Sequence, residues 1–312
     1  MEGTTYHVPV MLQPCLDGLG LDAASTATRH WVDVTFGGGG HSRAILEQMG
    51  ANDRLWAFDQ DPDAQANVPD DARFTLIPQN FRYARNFLRM HGVTEVHGLL
   101  ADLGVSSHQF DAGERGFSTR TDAPLDLRMN PNAGVSGAEW VASATVEELT
   151  RVFRLYGELK RPDKAAWALV QARDTEPIAT TGRLKHVLEP LAPRGKENKF
   201  MAQVFQALRI ELNDELGALR ELLKQCTALL PEGGRLVVMS YHSLEDRLVK
   251  HFVRSGNFDD ELERDLRGAP LAPFRPITRK AVVADDAEQA VNPRSRSARL
   301  RIAERTDYTP SA

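Results

Sequence analysis

The sequence predicts an α/β protein built on a parallel sheet, and two observations support this. Short apolar runs alternate with stretches of helical character, which is the order expected of parallel strands joined by right-handed crossovers. The first apolar run, 31–36, passes through four consecutive glycines, Gly37 to Gly40, into a helical stretch at 42–49. Further strands are predicted at 54–59, 73–78 and 96–102, with helical turns at 62–67 and through 87–89.

The glycine turn marks the place where such a sheet binds a ligand. Residues without a Cβ let the backbone approach a bound molecule, and the following helix directs free N–H groups to the same point. Asp59 ends the second strand, 22 positions after Gly37. Nucleotide-binding folds place a carboxylate there to hold a ribose diol. We therefore predict a cofactor that carries a nucleoside, bound by Gly37, Gly39, Gly40 and Asp59.

The spacing of the glycines favours S-adenosylmethionine over a dinucleotide. A dinucleotide fingerprint reads G-x-G-x-x-G, and Ser42 stands here at the third glycine position. S-adenosylmethionine carries no pyrophosphate and tolerates a looser turn. The other strand ends complete the predicted site, with Phe81 against the adenine and Asp102 nearest the methylsulfonium. His242 or Tyr241, after the strand at 235–240, is predicted to help hold the substrate.

The alternation of strands and helices stops after Leu103 and resumes near Met201. Between these points the sequence predicts a loop-like segment followed by short helices between proline and glycine breaks. This pattern predicts a discontinuous domain, residues 1–104 and 200–312, with a helical domain inserted at 105–199. The predicted elements of this part are helices at 146–154, 163–173, 181–188, 201–230 and 244–253, a strand at 235–240, and an antiparallel pair of strands at 278–283 and 298–303.

Composition limits the classes of protein that fit. The 312 residues are 42% hydrophobic and 26% charged, with a net charge of −5, which is typical of a globular protein. No apolar run reaches the length of a membrane helix, and two cysteines are too few for a disulfide framework, so the cytoplasm is predicted. Basic residues concentrate at 292–301, with four arginines in ten residues, and the alternation at 298–302 suggests a strand with arginines along one side.

Seven runs of sequence together resemble one protein family. They read TFGGGGHS at 35–42, ADLGVSSHQ at 101–109, ERGFS at 114–118, LDLRM at 125–129, FQALRI at 205–210, YHSLEDR at 241–247 and NPRSRS at 292–297. This set is similar to the bacterial small-subunit rRNA (cytosine-N4) methyltransferases, the RsmH or MraW type. The resemblance implies a Rossmann-like S-adenosylmethionine-dependent methyltransferase sheet with an inserted helical domain. It also implies methylation of N4 of one cytidine, position 1402 of 16S rRNA, in the decoding region.

The resemblance further implies which residues and partners take part. The cofactor contacts of the family fall on Gly39, Gly40, His41, Asp59, Phe81, Asp102 and Gln109, of which His41 and Gln109 rest on the resemblance alone. Asp102 is the predicted catalytic residue, with His242 beside it. The arginines predicted to engage RNA are Arg115, Arg120 and Arg128 in the insertion, with Arg294 and Arg296 near the end of the chain. The implied partner is 16S rRNA within the 30S subunit. A homodimer is a further hypothesis that rests on analogy alone.

Three other functions stay open on sequence grounds. A dinucleotide-dependent oxidoreductase uses the same sheet, but Ser42 disfavours it. A non-catalytic RNA-binding or assembly factor with a vestigial site is disfavoured by the intact Asp59 and Asp102. A methyltransferase that acts on DNA or protein is distinguished from the rRNA enzyme by the resemblance alone.

Overall fold

The structure, a computed structural model, describes residues 9–106, 109, 113, 115–118 and 121–309. The chain divides into two compact units: the first takes the chain up to Gly104 and from Ala218 onward, and the second runs from Val105 to Gly217. The predicted insertion ended at residue 199, so the second compact unit continues further along the chain. The assignment of 1–104 with 200–312 and of 105–199 as domains stays a prediction.

The described part of the chain contains helices and strands throughout both units. The α-helices are α1 Leu12–Leu19, α2 Gly40–Gln48, α3 Ala84–Met90, α4 Gly137–Ser143, α5 Val146–Leu155, α6 Pro162–Arg173, α7 Thr181–Leu188, α8 Glu197–Asn213, α9 Glu215–Leu229, α10 Ser243–Ser255 and α11 Asp286–Val291. The strands are β1 His30–Asp33, β2 Arg54–Phe58, β3 Phe74–Ile77, β4 Gly98–Asp102, β5 Arg235–Ser240, β6 Glu263–Arg264, β7 Pro270–Leu271, β8 Phe274–Pro276 and β9 Arg299–Arg305. Short 3-10 turns occupy Pro62–Asn67, Phe81–Tyr83, Glu189–Leu191 and Pro293–Ser297.

Seven of the described strands form one sheet in the order β3-β2-β1-β4-β5-β9-β8. The first five strands in chain order pair in parallel, while β9 runs antiparallel to β5 and β8 antiparallel to β9. The predicted α/β fold, a Rossmann-like sheet interrupted by a helical insertion after β4, is confirmed. The carboxyl ends of the parallel strands therefore share one edge, where ligands bind in such sheets.

Close packing explains why particular residues form the centre of this sheet. Gly98 begins β4 beside Trp31 of β1, and a Cβ on Gly98 would lie 2.6 Å from the indole ring. Gly18 of α1 plays a similar part, since a Cβ there would lie 2.9 Å from Ile302 of β9. Each glycine lets a large apolar side chain cover the sheet, which keeps the central strands buried.

One predicted strand of the first unit is wrong, and one of its helices was not predicted. The strand expected at 278–283 is absent from the sheet, where β8 pairs with β9 instead. Arg279 and Lys280 interrupt the apolar run, and only Val282 forms an isolated bridge, with Leu300. Helix α1 was not predicted. It begins after Met11, which has a left-handed φ of 50° and forms no side-chain cap, so the sequence lacks the usual signal for a helix start.

The described part of the second unit is helical, and its helices pack around their own apolar core. Two helix starts carry capping boxes, Ser136 with Glu139 at α4 and Thr145 with Glu148 at α5.

The helix predicted at 201–230 is two helices, because Asp214 adopts a φ of 46° between α8 and α9. Among the described helices, none is long and apolar enough to cross a membrane. The core residues include Leu149, Val152, Phe153, Leu169, Leu184, Val204 and Leu208.

Candidate active site

The glycine turn follows β1 and leads directly into α2. Gly37 and Gly39 have φ values of 49° and 74°, a conformation that side chains rarely adopt. A Cβ on Gly39 would lie 2.8 Å from the ring of Phe36, while a Cβ on Gly38 would meet nothing within 4 Å. The open space therefore lies at Gly38, and its neighbours shape the turn around it.

Asp59 follows β2 and accepts hydrogen bonds from two backbone N–H groups. Its Oδ2 accepts from Gly37 at 2.7 Å and its Oδ1 accepts from Asp61 at 2.8 Å. Burial raises the pKa of Asp59 to about 6, although both backbone bonds favour the charged form. Each carboxylate oxygen accepts two hydrogen bonds. The two bonds thus use half of the acceptor capacity of Asp59, and two hydroxyl groups match the other half.

The first residues of α2 pack against the chain segment just before α1. A Cβ on Gly40 would lie 2.4 Å from Pro9, so this glycine is needed for packing. The His41 ring is buried, with Nε2 3.2 Å from the carbonyl oxygen of Val10. Its other nitrogen, Nδ1, lies 3.6 Å from Oδ2 of Asp102. His41 thus links the start of α2 to the end of β4.

Asp102 is the last residue of β4 and is held at both its backbone and its side chain. Its N–H donates to Thr35 Oγ1 at 2.7 Å, and the Tyr241 hydroxyl donates to its Oδ1 at 2.8 Å. The His41 distance of 3.6 Å to Oδ2 is longer than a hydrogen bond. Burial raises the pKa of Asp102 to about 6, and neighbouring carboxylates add to the rise, while His41 and Tyr241 oppose it. A further donor at Oδ2 would stabilise the charged form.

Sequence reasoning missed a third carboxylate at this edge, Asp33, the last residue of β1. Its side chain is 1% exposed, with Oδ2 accepting from the Ser42 hydroxyl at 2.7 Å and Oδ1 from the Thr35 N–H at 3.1 Å. Burial raises the pKa of Asp33, against the effect of these bonds. The signal was a carboxylate interrupting the apolar run 31–36 at the strand end. Ser42, in place of a third glycine, ties α2 to β1 through Asp33.

Tyr241 and His242 follow β5, and their contacts differ. His242 caps α10, because its Nδ1 accepts from the Glu245 N–H at 3.4 Å while its Nε2 lies 3.2 Å from Glu245 Oε1. Glu245 is 3% exposed and also accepts from the Tyr241 N–H at 2.9 Å. Tyr241, the alternative to His242 in the sequence prediction, is the member of this pair that donates to Asp102. The catalytic role of His242 stays a prediction, and its described contacts are those of a helix cap.

The two remaining predicted cofactor residues lie in different units. Phe81 begins the 3-10 turn after β3, which Asn80 fixes by accepting from the Arg82 N–H at 2.9 Å. Phe81 is half-buried, so part of its ring is accessible. Gln109 belongs to the second unit, where it is buried and exchanges two hydrogen bonds of 3.1 Å with Ser106. Its role toward the cofactor stays a prediction.

Residues 4–306 match the model of the MraW methylase family. The chain belongs to this family. The ribosomal RNA small subunit methyltransferase H of Parabacteroides distasonis is 54% identical over 305 residues, covering 97% of this chain and 99% of that protein. The protein of the same name from Bacteroides thetaiotaomicron is 51% identical over 301 residues, covering 96% of this chain and 98% of its own. A solved rRNA methylase from Streptococcus thermophilus is 13% identical over 98% of this chain and 99% of its own, with a TM-score of 0.40.

Membership in a methylase family confirms the predicted class of chemistry. The chain is a methyltransferase, and S-adenosylmethionine is its cofactor. The dinucleotide-dependent oxidoreductase that the sequence left open is thereby set aside. The bond from Ser42 to Asp33 also gives the third fingerprint position a structural function that a glycine would not supply.

In this methylase two of the insertion arginines predicted to engage RNA, Arg115 and Arg128, form contacts within the second unit. Arg115 donates to the backbone carbonyls of residues 128 and 129, each at 2.7 Å. Arg128 forms an ion pair with Asp126, at 2.6 Å between Nε and Oδ1. Arg120 lies outside the described residues. Contacts of Arg115, Arg120 and Arg128 with RNA stay predictions, and the bonds of the first and third show that these side chains also hold the insertion together.

The arginines near the end of the chain lie in the 3-10 turn Pro293–Ser297. Asn292 begins this turn by accepting from the Arg294 N–H at 3.2 Å. Arg294 is half-buried and Arg296 is exposed. Of the two, Arg296 has the more accessible charge for a phosphate, and the contact of both with RNA stays a prediction.

Proposed function

We propose that this methylase transfers a methyl group from S-adenosylmethionine to small-subunit ribosomal RNA. Relatives 54% and 51% identical, matched almost end to end, are named as small-subunit rRNA methyltransferases, which supports this substrate class. The finer proposal is N4 of one cytidine, position 1402 in the decoding region of 16S rRNA, and it rests on the seven sequence runs. We further propose that the substrate is the 30S subunit and that the reaction takes place in the cytoplasm. A homodimer is a hypothesis that rests on analogy alone.

The observation that carries the proposal is the group of carboxylates around an open glycine turn. Asp33 and Asp102 end β1 and β4, Asp59 follows β2, and burial raises the pKa of all three. Carboxylates in this situation gain from a nearby cation and from hydroxyl donors. S-adenosylmethionine offers both, a sulfonium and a ribose diol, while a pyrophosphate would be repelled. The residues present therefore fit this cofactor.

Each predicted residue receives a proposed role on this basis. Asp59 holds the ribose through its two unused acceptor positions, and Phe81 lies against the adenine. Gly37, Gly39 and Gly40 shape the turn on which the cofactor rests. His41, whose ring is held by Val10, orients Asp102 near the sulfonium. Gln109 keeps the cofactor role that the family resemblance gives it.

Asp102 is the proposed catalytic residue because a cytosine amine is a poor nucleophile. Its lone pair is delocalised into the ring, and an acceptor for one N–H draws the nitrogen toward tetrahedral geometry. Oδ2 of Asp102 can supply that acceptor, since Tyr241 donates to the other oxygen. When bound, the cofactor supplies an electrophilic methyl group, and the S–C bonding pair stays on sulfur as the N–C bond forms. The surplus proton on nitrogen is acidic and passes to water.

The position of Asp102 at the end of a buried strand also sets a requirement on the RNA. A cytosine stacked in a helix cannot bring its exocyclic nitrogen to such a group, so the target base must be unstacked or flipped. Arg294 and Arg296 are proposed to hold the flanking phosphates. Replacing both with glutamine should weaken RNA binding and flatten its dependence on salt. An unchanged salt slope would show that the two charges are only solvated.

The test of the function is transfer of labelled methyl groups from S-adenosylmethionine. The acceptors are 30S subunits, naked 16S rRNA, DNA and a protein mixture, with a reaction lacking acceptor as the control. We expect label in 30S rRNA, mapped to a single N4-methylated cytidine. Label on DNA or protein would replace the substrate assignment. Cofactor binding without transfer to any acceptor would favour an assembly factor with a vestigial site.

A further inference from the structure

The residue that most directly controls Asp102 lies on the segment after β5, 139 positions along the chain. We infer that Tyr241 is a positioning residue: its hydroxyl holds Oδ1 of Asp102, so that the other oxygen, Oδ2, faces the reacting amine. This inference rests on the proposed function, in which Asp102 accepts an N–H from the cytosine. A carboxylate free to rotate would present either oxygen, and the bond at 2.8 Å removes that freedom.

Tyr241 is itself fixed at its backbone. Its N–H donates to Oε2 of Glu245 at 2.9 Å, and Glu245 is buried in the first turn of α10. His242 caps the same turn through the Glu245 N–H, so the chain between β5 and α10 has little freedom. On its other side the Tyr241 ring faces Gly104, where a Cβ would lie 3.4 Å away in ordinary contact. The phenol is therefore presented to Asp102 by a rigid support.

The electrostatic surroundings make this hydroxyl a constant donor. Burial and the nearby Asp102 both raise the pKa of Tyr241, so the phenol stays protonated through the range in which Asp102 titrates. Its hydrogen bond favours the charged form of Asp102. The other titratable groups that act on Asp102 or Tyr241 are His41 from α2, Asp33 from β1, Cys15 from α1 and Glu245 from α10.

The inference predicts a pH-dependent defect in Tyr241→Phe. Without the donor, the pKa of Asp102 rises, and the acidic limb of the kcat profile moves to higher pH. If the pKa of Asp102 rises by one unit, kcat should be about tenfold lower at pH values below that pKa. At pH values well above it, kcat should change little. The affinity for S-adenosylmethionine at pH 8.5 should stay within about twofold of the wild type, since the charge of Asp102 remains there.

The matched control is Tyr308→Phe. Tyr308 also donates its hydroxyl to a carboxylate, Glu263 Oε2 at 2.9 Å, in an exposed position. Removing that hydroxyl makes the same chemical change in a surface bond, so kcat should keep its wild-type pH profile. Urea denaturation of both variants separates loss of stability from loss of rate. A fall in kcat by one factor at every pH in Tyr241→Phe would overturn the inference, as would an unchanged kcat.

A second measurement does not depend on the substrate. Carbon-13 NMR of aspartate carboxyl groups, with the Asp102 signal assigned by its loss in Asp102→Asn, gives the pKa of Asp102 in the cofactor-free protein. We expect a higher value in Tyr241→Phe than in the wild type or Tyr308→Phe. An unchanged value would overturn the inference even if methyl transfer is observed. If the wild type methylates no RNA while the pKa rises, the proposed substrate fails and the control of Asp102 by Tyr241 stands.

Discussion

Where the parallel strands begin, Asp53 is fully buried and accepts from the N–H and guanidinium of Arg29, the indole of Trp31 and the N–H of Gly50, at 2.9 to 3.0 Å. Where the same strands end, Asp59 accepts from two backbone N–H groups and Asp102 from a tyrosine hydroxyl. Both edges thus place aspartates against the sheet. They differ in whether a cation within the protein already neutralises the charge.

The pKa values follow this difference. Burial acts to raise the pKa of Asp53, but the bonds from Arg29, Trp31 and Gly50 outweigh it and hold the pKa below its usual range. At the other edge burial prevails, and the pKa values of Asp59 and Asp102 rise to about 6. A carboxylate that is hydrogen-bonded to a guanidinium within the protein stabilises the fold, while one without a hydrogen-bonded cation gains from a charged ligand. The hydrogen-bonded partner, more than burial, therefore separates the structural Asp53 from Asp59 and Asp102, the carboxylates proposed to be functional.

The largest effect is expected at the edge where the strands begin. Asp53→Ala leaves Arg29, the Trp31 indole and the Gly50 N–H without their shared acceptor. The free energy of unfolding should fall by about 3–5 kcal/mol, the usual result of breaking a buried ion pair. Urea denaturation measures this. A loss below about 1 kcal/mol would mean that Asp53 contributes no more to stability than a solvent-exposed ion pair does.

Asp102→Asn should have the opposite signature, a loss of rate without a loss of stability. The amide keeps the shape of the side chain but removes the charge, so kcat should fall about 100-fold. Methyl transfer to 30S subunits measures the rate, and urea denaturation at pH 8 should give an unfolding free energy equal to or above that of the wild type. An unchanged kcat would remove Asp102 from the proposed mechanism.

The stability difference between Asp102→Asn and the wild type should depend on pH. The carboxyl has a pKa of about 6 in the folded chain against 3.8 ordinarily. The cost of burying its charge is therefore present above pH 6 and is lost as the pH falls through 6 toward 4. A pKa difference of two units corresponds to roughly 3 kcal/mol of unfolding free energy. We expect a smaller difference between Asp102→Asn and the wild type, because the Asp102 side chain is 24% exposed and water screens its charge. Unfolding free energies measured from pH 4 to pH 8 should therefore converge at the acidic end.

The affinity for S-adenosylmethionine tests Asp59. Asp59→Ala removes the acceptors proposed for the ribose, and the Kd should rise about tenfold. In the wild type the Kd should also rise as the pH falls below about 6, because Asp59 and Asp102 take up protons there. Calorimetric titrations at pH 5 and pH 8 measure both. A wild-type Kd that is the same at the two pH values would contradict the role of these carboxylates.

The smallest effect is expected from an ion pair at the surface. Asp71 pairs with Arg73 at 2.6 Å, but the two side chains are 26% and 23% exposed. Asp71→Ala should lower the free energy of unfolding by less than about 1 kcal/mol, because water screens the pair. Methyl transfer should not change. Asp71→Ala is the matched control for Asp53→Ala. A loss of stability as large as that of Asp53→Ala would contradict the distinction between the largely buried pair and the partly exposed one.

Local patterns predicted the strands around the site closely. β2 and β5 occupy Arg54–Phe58 and Arg235–Ser240, where 54–59 and 235–240 were predicted. The errors lie where a short segment carries a weak pattern. The strand at 278–283 is wrong because of its charged centre, and the helix at 201–230 is broken at Asp214, which helical periodicity does not reveal.

Local sequence was enough to predict the family, the succession of strands along the chain and the candidate carboxylates Asp59 and Asp102, because these depend on residues close together in the chain. The contacts of each carboxylate, in turn, depend on how the chain folds. The tertiary structure buried Asp33 beneath Ser42, placed Tyr241 rather than His242 against Asp102, and paired Asp53 with Arg29. These contacts join residues far apart in the chain, because the sheet order β1-β4-β5 brings distant segments side by side. Hydrophobic periodicity fixes which face a residue occupies but carries no information about its partner across the sheet.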